Sequence, residues 1–340
     1  MHSSKMSTGT KRSTSGRSRR SLRPGTVGAF LILTVLLLPA TGCSSAPDTP
    51  EYEVTRKNQA ARYAELGNAQ YNMGNYDLAL RYFDMALAEN TAVDNLPGIA
   101  QSHNSIGRVF IAVGNLTEAK AQFETAIRFA DLAEDREYRM QAHVNLGVVA
   151  LQNNDTEAAT RYLQMAEDAV RAEQAEPNAI LYHSLGVLNA RANRFDDARN
   201  YLERARGINR EERRWTELAS NYYMLASLSS RQGRYEEALG YARQALNYDK
   251  RAENSPGIAA DLHALGQISE HLDDDENAYQ YYLRSLRIYL ALNQPRQAVV
   301  LLERLEDVAS RTNRAAEADE FGSQRERIET ALRRDGSRTP

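Results

Sequence analysis

Cysteine, tryptophan and proline are scarce in this 340-residue chain, which has one, one and nine of them. A single cysteine excludes an internal disulfide, so a folded body must rest on packing alone. Few prolines, set against plentiful alanine, leucine, arginine and glutamate, favour uninterrupted helices. Basic charge is also short over most of the chain. Beyond residue 42 there are 35 Lys/Arg against 45 Asp/Glu, a net of −10 that the overall −3 conceals. A nucleic-acid binder carries the opposite balance to match phosphates, so no nucleic-acid partner is expected. No apolar run reaches the roughly 20 residues that a bilayer-spanning helix needs. A hydrophobic content of 42% still suffices for a packed core and excludes general disorder.

Catalytic signatures are missing as well. The chain has no Gly-x4-Gly-Lys-Ser/Thr phosphate loop, no Gly-x-Ser-x-Gly elbow, no His-Glu-x-x-His and no Cys-x-x-Cys. No enzyme activity is expected, and no catalytic residue, cofactor or metal is assigned. Histidine comes nearest. His103 and His143 recur 40 residues apart, as do His183 and His263 at twice that interval. A metal-ligand ladder is one reading and aromatic packing the other. Equivalent positions of stacked helices lie about 9–10 Å apart, too far for shared coordination, which favours packing. Asp273-Asp274-Asp275-Glu276 lacks the glycine and closing glutamate of a calcium loop and reads as a solvated turn before a helix.

The first 43 residues have a different character. Lys11, Arg12, Arg17, Arg19, Arg20 and Arg23 precede an apolar stretch from Val27 to Leu38, the pattern of an export signal. It ends Leu38-Pro39-Ala40-Thr41-Gly42-Cys43-Ser44, with the chain's one cysteine at the cleavage point. This resembles the bacterial lipobox, although Ala40 stands where leucine is most common. The resemblance implies cleavage of residues 1–42 and lipidation of Cys43 with palmitate-like chains, two or more of which anchor a protein without spanning. It further implies the cell envelope: the outer membrane in a two-membrane cell, because Ser44 replaces the retaining aspartate, and otherwise the outer face of the cytoplasmic membrane. Arg19-Arg20 leaves twin-arginine export open beside the general route. Met6 is a second possible start.

From residue 60 a pattern returns every 40 residues, with one interval of 39. Its marker is an apolar-small step: Leu66-Gly67, Ile106-Gly107, Leu146-Gly147, Leu185-Gly186, Leu225-Ala226, Leu265-Gly266 and Leu305-Glu306. Twelve residues on comes an alanine every time, from Ala79 through Ala119, Ala159, Ala198, Ala238 and Ala278 to Ala318. About one residue in seven is alanine, so chance gives such a column roughly once in a million. A bulky column (Phe83, Phe123, Leu163, Leu202, Ala242, Tyr282, Gly322) and a second small one (Ala86, Ala126, Ala166, Ala205, Ala245, Ser285, Arg325) follow. Apolar residues three and four apart put one helix face into a core. Midway through each repeat stands Gly74, Gly114, Asn154, Asn193, Gly233, Asp273 or Asn313, residues that tolerate the left-handed backbone of a tight turn. Each repeat reads as helix, short turn, helix.

The columns resemble the tetratricopeptide repeat, Trp-x2-Leu-Gly-x2-Tyr then Ala-x3-Phe. The Trp position is taken by Tyr63, His103, His143, Tyr182, Tyr222, Leu262 and Leu302, and the closing proline shifts to Pro97, Pro177 and Pro256, where it suits the opening of the next hairpin. A period of 40 instead of 34 is taken to mean longer helices and longer links between hairpins. The resemblance covers residues 57–334, with repeats near 60–99, 100–139, 140–178, 179–218, 219–258, 259–298 and 299–334. Residues 43–56 are expected to be the lipidated cysteine and a tether, and 335–340 a loose tail. The last copy, with Glu306, Gly322 and Arg325 in packing columns, suits a polar terminal repeat.

The implied fold is all-α, a right-handed α-solenoid of about seven antiparallel helical hairpins. The implied function is a membrane-anchored scaffold that binds a peptide or protein partner in a concave groove lined by the first helix of each hairpin. Groove candidates are Asn68, Asn104, Arg108, Gln141, Asn145, His183, Tyr223, Ser227, His263 and Gln267. These do not match the Lys/Asn/Arg clamp by which some relatives grip a terminal carboxylate. The alternative is an accessory lipoprotein that binds a small solute or a transporter's substrate-binding component.

Overall fold

The computed structural model describes residues 51–172, 175–176 and 178–336. The export signal, Cys43 and the tether up to residue 50 lie outside them, as do Pro177 and residues 337–340. The described residues form fourteen helices and no strand. Seven hairpins result: α1 (Glu51–Asn72) with α2 (Tyr76–Thr91), α3 (Leu96–Ala112) with α4 (Leu116–Leu132), α5 (Arg136–Gln152) with α6 (Thr156–Arg171), α7 (Ala179–Arg191) with α8 (Phe195–Glu211), α9 (Trp215–Arg231) with α10 (Tyr235–Arg251), α11 (Ser255–His271) with α12 (Asp275–Ala291), and α13 (Pro295–Arg311) with α14 (Ala315–Gly336).

Two boundaries differ from expectation. α1 begins at Glu51, inside the expected tether, and α14 runs to Gly336, inside the expected tail. In the extension of α1, Tyr52 and Val54 are exposed and form no buried face, so periodicity alone does not reveal it. α1 is held by Glu51 and Glu53 in its first turn, which suit the positive helix end, and by Arg56 pairing with Glu89 of α2 at 2.8 Å.

The links between hairpins are not long. Most helices have 16 or 17 residues, and three or four residues join one hairpin to the next everywhere except at 172–178. The six residues beyond the usual repeat went into the helices. A left-handed residue stands at almost every corner: Gly74, Gly114, Asn154, Asn193, Gly233, Asp273 and Asn313 inside hairpins, and Asp94, Glu134, Arg213, Glu253 and Asn293 between them. At the first corner Gly74 N–H donates to the Tyr71 carbonyl and Asn75 N–H to that of Gln70, both at 2.9 Å, closing the helix end. At many corners the next residue caps the following helix, as when Asp135 Oδ1 accepts from Tyr138 N–H at 2.8 Å and Asp155 Oδ1 from Ala158 N–H at 2.9 Å. Asp273 and Asp274 fill these two roles, while Asp275 and Glu276 pair with Arg311 and Arg314.

Packing explains the columns. The alanines at 79, 119, 159, 198, 238 and 278 are fully buried. Each glycine of the step faces a bulky residue sixteen positions on: a methyl added to Gly67, Gly107 or Gly147 would sit 2.5 Å from Phe83, Phe123 or Leu163. In the fifth hairpin the step holds Ala226, and its bulky partner shrinks to Ala242, in the same core. In the seventh the sizes invert, with Glu306 against Gly322, and Glu306 also pairs with Arg325 at 3.1 Å. The polar residues of the last repeat therefore satisfy one another.

Odd-numbered helices from α1 to α11 touch the next odd-numbered helix, whereas even-numbered helices touch their own partner and the odd helix that follows. The odd helices thus form the closer-packed inner layer, and their free faces bound the groove.

Candidate functional site

A hollow of about 730 Å³ lies on the odd-helix layer. Its wall drifts along the helices from one hairpin to the next. It takes Asn68, Tyr71 and Asn72 from the end of α1, Arg108 from the second half of α3, and Glu137, Gln141, Val144 and Asn145 from the first half of α5. Asn178 and Ile180 at the start of α7, and Arg214, Thr216 and Glu217 at the start of α9, close it. The drift is the footprint of the small rotation between stacked repeats. The hollow opens where α7, with 13 residues, is about one turn shorter than its neighbours. That is also the single 39-residue interval of the sequence. Asn178 caps the shortened helix by accepting from Leu181 N–H at 2.8 Å, and Glu137 Oε2 accepts from the Glu176 backbone N–H at 3.1 Å.

The expected groove residues divide into three sets. Asn68, Arg108, Gln141 and Asn145 come together in this hollow. Tyr223, Ser227 and Gln267 border a second, smaller one of about 120 Å³ between α9 and α11. Asn104, His183 and His263 belong to the packing instead of the open face. Asn104 is buried, its amide donating to the Tyr138 carbonyl at 3.1 Å. His183 Nδ1 meets Asn221 Nδ2 at 2.9 Å, and burial holds its pKa down at about 4, so the ring is neutral. His263 packs edge-on against Tyr282 at 5.8 Å and is likewise lowered, by burial first and Arg304 second.

The other two recurring histidines also pack: His103 stacks on Phe129 at 5.8 Å and meets Gln122 at 2.7 Å, and His143 stacks on Tyr162 at 6.4 Å. Among the described residues no group of three or more His, Cys, Asp or Glu could hold a metal. None of the described helices is long and apolar enough to cross a membrane.

Reading the sequence column by column missed Tyr71, Tyr76, Glu137, Asn178, Ile180, Arg214, Thr216 and Glu217. A column keeps to one height on every helix, whereas the hollow runs diagonally across them. The short interval between Gly147 and Gly186 was the available signal.

A buried acidic pair lies farther along. Asp249 of α10 and Asp261 of α11 are 5% and 1% exposed. Asn254 Nδ2 donates to Asp249 Oδ1 at 2.9 Å, while Asp261 Oδ2 has no partner among the described residues. Burial, then the neighbouring Asp249, push the Asp261 pKa up to about 9, so the pair keeps a proton at neutral pH. The same place holds Asn209 and Asn221, hydrogen-bonded at 2.7 Å, one hairpin earlier.

Solved structures resemble this architecture at low identity, and such likeness shows the fold alone. The apo form of RapI aligns with a TM-score of 0.63 at 15% identity, over 79% of this chain and 76% of that one. A Rap protein complexed with competence and sporulation factor aligns at 0.56 and 14%, over 81% and 76%. The APC/C heterotetramer Cut9–Hcn1 aligns at 0.56 and 18% over 68% of this chain, which spans only 40% of that one. No curated protein matches. The family model described as tetratricopeptide repeat matches residues 59–132, 99–172, 177–251 and 217–291. With matches over more than half its length, the chain belongs to the tetratricopeptide repeat family.

Proposed function

We propose that this chain is a lipid-anchored scaffold of a bacterial cell envelope, holding a peptide or protein segment on its odd-helix face. The observation that carries the reading is the hollow to which five successive odd helices, or residues at their starts, contribute. A surface shared by so many repeats suits an elongated occupant. Its wall is mostly polar, with Val144 and Ile180 its aliphatic members. Small-molecule pockets are lined mainly by apolar and aromatic groups, so the lining supports a polypeptide over a free solute. Tetratricopeptide proteins generally act as non-enzymatic scaffolds that bind proteins or peptides. One structural neighbour was solved with competence and sporulation factor bound to it.

A photo-crosslinking residue at Gln141 in living cells tests the groove, with Arg161 on the exposed side of α6 as control. A discrete protein adduct from position 141 alone is expected; equal labelling from both positions, or none from either, would refute the reading. The anchor rests on Cys43 following a basic leader and a short apolar run. Cys43→Ser should abolish labelling with a radioactive fatty acid and move the protein out of the membrane fraction. Membrane retention without the cysteine would count against lipidation.

A further inference from the structure

Even-numbered helices pack against their own partner and the odd helix that follows, so each keeps a bare outer face. On α10 and α12 that face is basic along its second half. Arg243, Lys250 and Arg251 stand on α10, and Arg284 and Arg287 on α12, all of them exposed. Spacings of seven and eight residues on α10, and of three on α12, put them on one side of each helix. No counter-charge accompanies them. Between Leu239 and Arg251 the one acidic residue is Asp249, which is buried, and from Asn277 to Leu302 there is none. Glu253, the nearest exposed acid in sequence, lies past the end of α10. Arg251 lies over the Trp215 ring at 4.0 Å and Arg284 over Tyr281 at 6.0 Å. Arg243, Lys250 and Arg287 have no ion pair, hydrogen bond or ring contact among the described residues.

Cations near a helix's last turn are favoured by its carbonyl end, and that effect acts on every even helix alike. It does not account for this face. At the position of Arg243 the earlier even helices carry Asp84, Glu124 and Glu203, and Asp131 stands where Lys250 does. Signs are mixed there and single here. The five cations are also too dispersed to converge on one small anion. Arg243 and Arg251 are about 12 Å apart along the axis, and α11 separates α10 from α12. They fit an array of anions instead. Leu290, 41% exposed, holds on α12 the position that Lys250 holds on α10. An apolar side chain among cations suits a surface whose charged layer covers an apolar one.

We propose that this outer face of α10 and α12 docks on the anionic headgroups of a phospholipid bilayer, with Leu290 reaching past them. The choice of a lipid surface over another polyanion rests on the anchor at Cys43, which would hold the body within reach of a bilayer. Each Lys or Arg near such a surface strengthens binding by about fivefold. Residues 43–340 carry a net charge of −10, so attraction to an anionic surface requires a local patch of this kind.

The test uses residues 43–340, which hold all fourteen helices, with Cys43→Ser so that no lipid chain contributes. Vesicles are of phosphatidylcholine alone, or of an equal mixture with phosphatidylglycerol, the acyl chains being brominated. Trp215, the one tryptophan of the chain, lies against Arg251, so quenching by bromine reports contact at this face. Cosedimentation with the mixed vesicles alone, and quenching of Trp215 by them, are expected at about 0.1 M salt, with release at about 1 M. Arg243→Gln, Lys250→Gln, Arg284→Gln and Arg287→Gln together should weaken cosedimentation by about a hundredfold. Glutamine at Arg81, Lys120, Arg128 and Arg161, which changes the net charge equally, should weaken it by less than about fivefold. Circular dichroism confirms that both variants are folded. Equal binding to both vesicles, binding without quenching, or binding that survives the first four substitutions overturns the inference. So does an absence of binding, which would leave the face to an acidic protein. Vesicle capture as expected, with fatty-acid labelling intact in Cys43→Ser cells, sinks the anchor and leaves this inference standing; lost labelling without vesicle capture does the reverse.

Discussion

Replacing Asp261 by asparagine is expected to stabilise the protein at neutral and alkaline pH. Asp261 is 1% exposed, and its pKa stands at about 9 against an ordinary 3.8. The folded form therefore binds a proton that the unfolded chain has released. The groups facing it are Asp249 on α10, itself held by Asn254, with Tyr223 of α9 and Tyr289 of α12, both raised in part by Asp261. For a raised pKa, the native state binds more protons than the unfolded state, so stability falls with rising pH. The loss begins near pH 4 and continues until the folded carboxyl ionises near pH 9.

At pH 7 the cost is at most about 4 kcal/mol, taking 1.36 kcal/mol per pH unit above the ordinary value. Asparagine keeps the shape, cannot ionise, and can donate to Asp249 much as Asn209 donates to Asn221. The expected gain is about 2 to 4 kcal/mol at pH 7, larger near pH 9 and close to zero near pH 4. Urea unfolding followed by circular dichroism at these three pH values measures it. Parallel pH profiles for variant and parent would refute the argument, since they would mean that Asp261 does not carry the linkage.

Three further outcomes follow from the packing and the corners. Gly107→Ala should cost about 1–3 kcal/mol through collision with Phe123, and Phe123→Ala about 3–5 kcal/mol through a cavity. The double variant, which copies Ala226 and Ala242, should cost clearly less than the two together in chemical denaturation; strict additivity would refute the size pairing. Glu134→Gly, at a corner with φ of 53°, should raise the thermal midpoint, the relieved strain of about 1 kcal/mol exceeding the added chain entropy; a lowered midpoint would contradict this. Arg231→Ala removes donors to the Ala190 carbonyl at 2.8 Å and Asn193 Oδ1 at 2.7 Å. It should speed hydrogen exchange at the end of α7, with a stability loss of about 1 kcal/mol; unchanged exchange there would show the bridge to be inert.

The helical hairpins were legible in the sequence because close packing leaves no choice at the glycine step, the alanine column and the corner glycines. The corners between hairpins were not. Glu134, Arg213 and Glu253 hold the same left-handed backbone as Gly74 but are residues with no particular turn preference. Context imposes the conformation there, so the links looked longer than they are. The groove was half legible for a related reason. Residues beside the glycine step lie near the inner layer, which gathers Asn68, Arg108, Gln141 and Asn145. Whether such a residue faces inward or wedges between helices depends on the rotation between repeats, as Asn104 and His183 demonstrate.

Corners within and between hairpins share one geometry and recur about every 20 residues. The chain is thus a staircase whose treads and landings turn alike, while the helices pack more closely within a hairpin than between hairpins. Length becomes a countable variable: excising two helices with their two corners joins identical ends, and duplicating them inserts a matched pair. The exception is at α7, which has 13 residues and is shorter than its neighbours, and the hollow of about 730 Å³ stands beside it. Growth or loss elsewhere would resize the wall without moving the doorway, so the place of binding can persist while the reach of the surface changes.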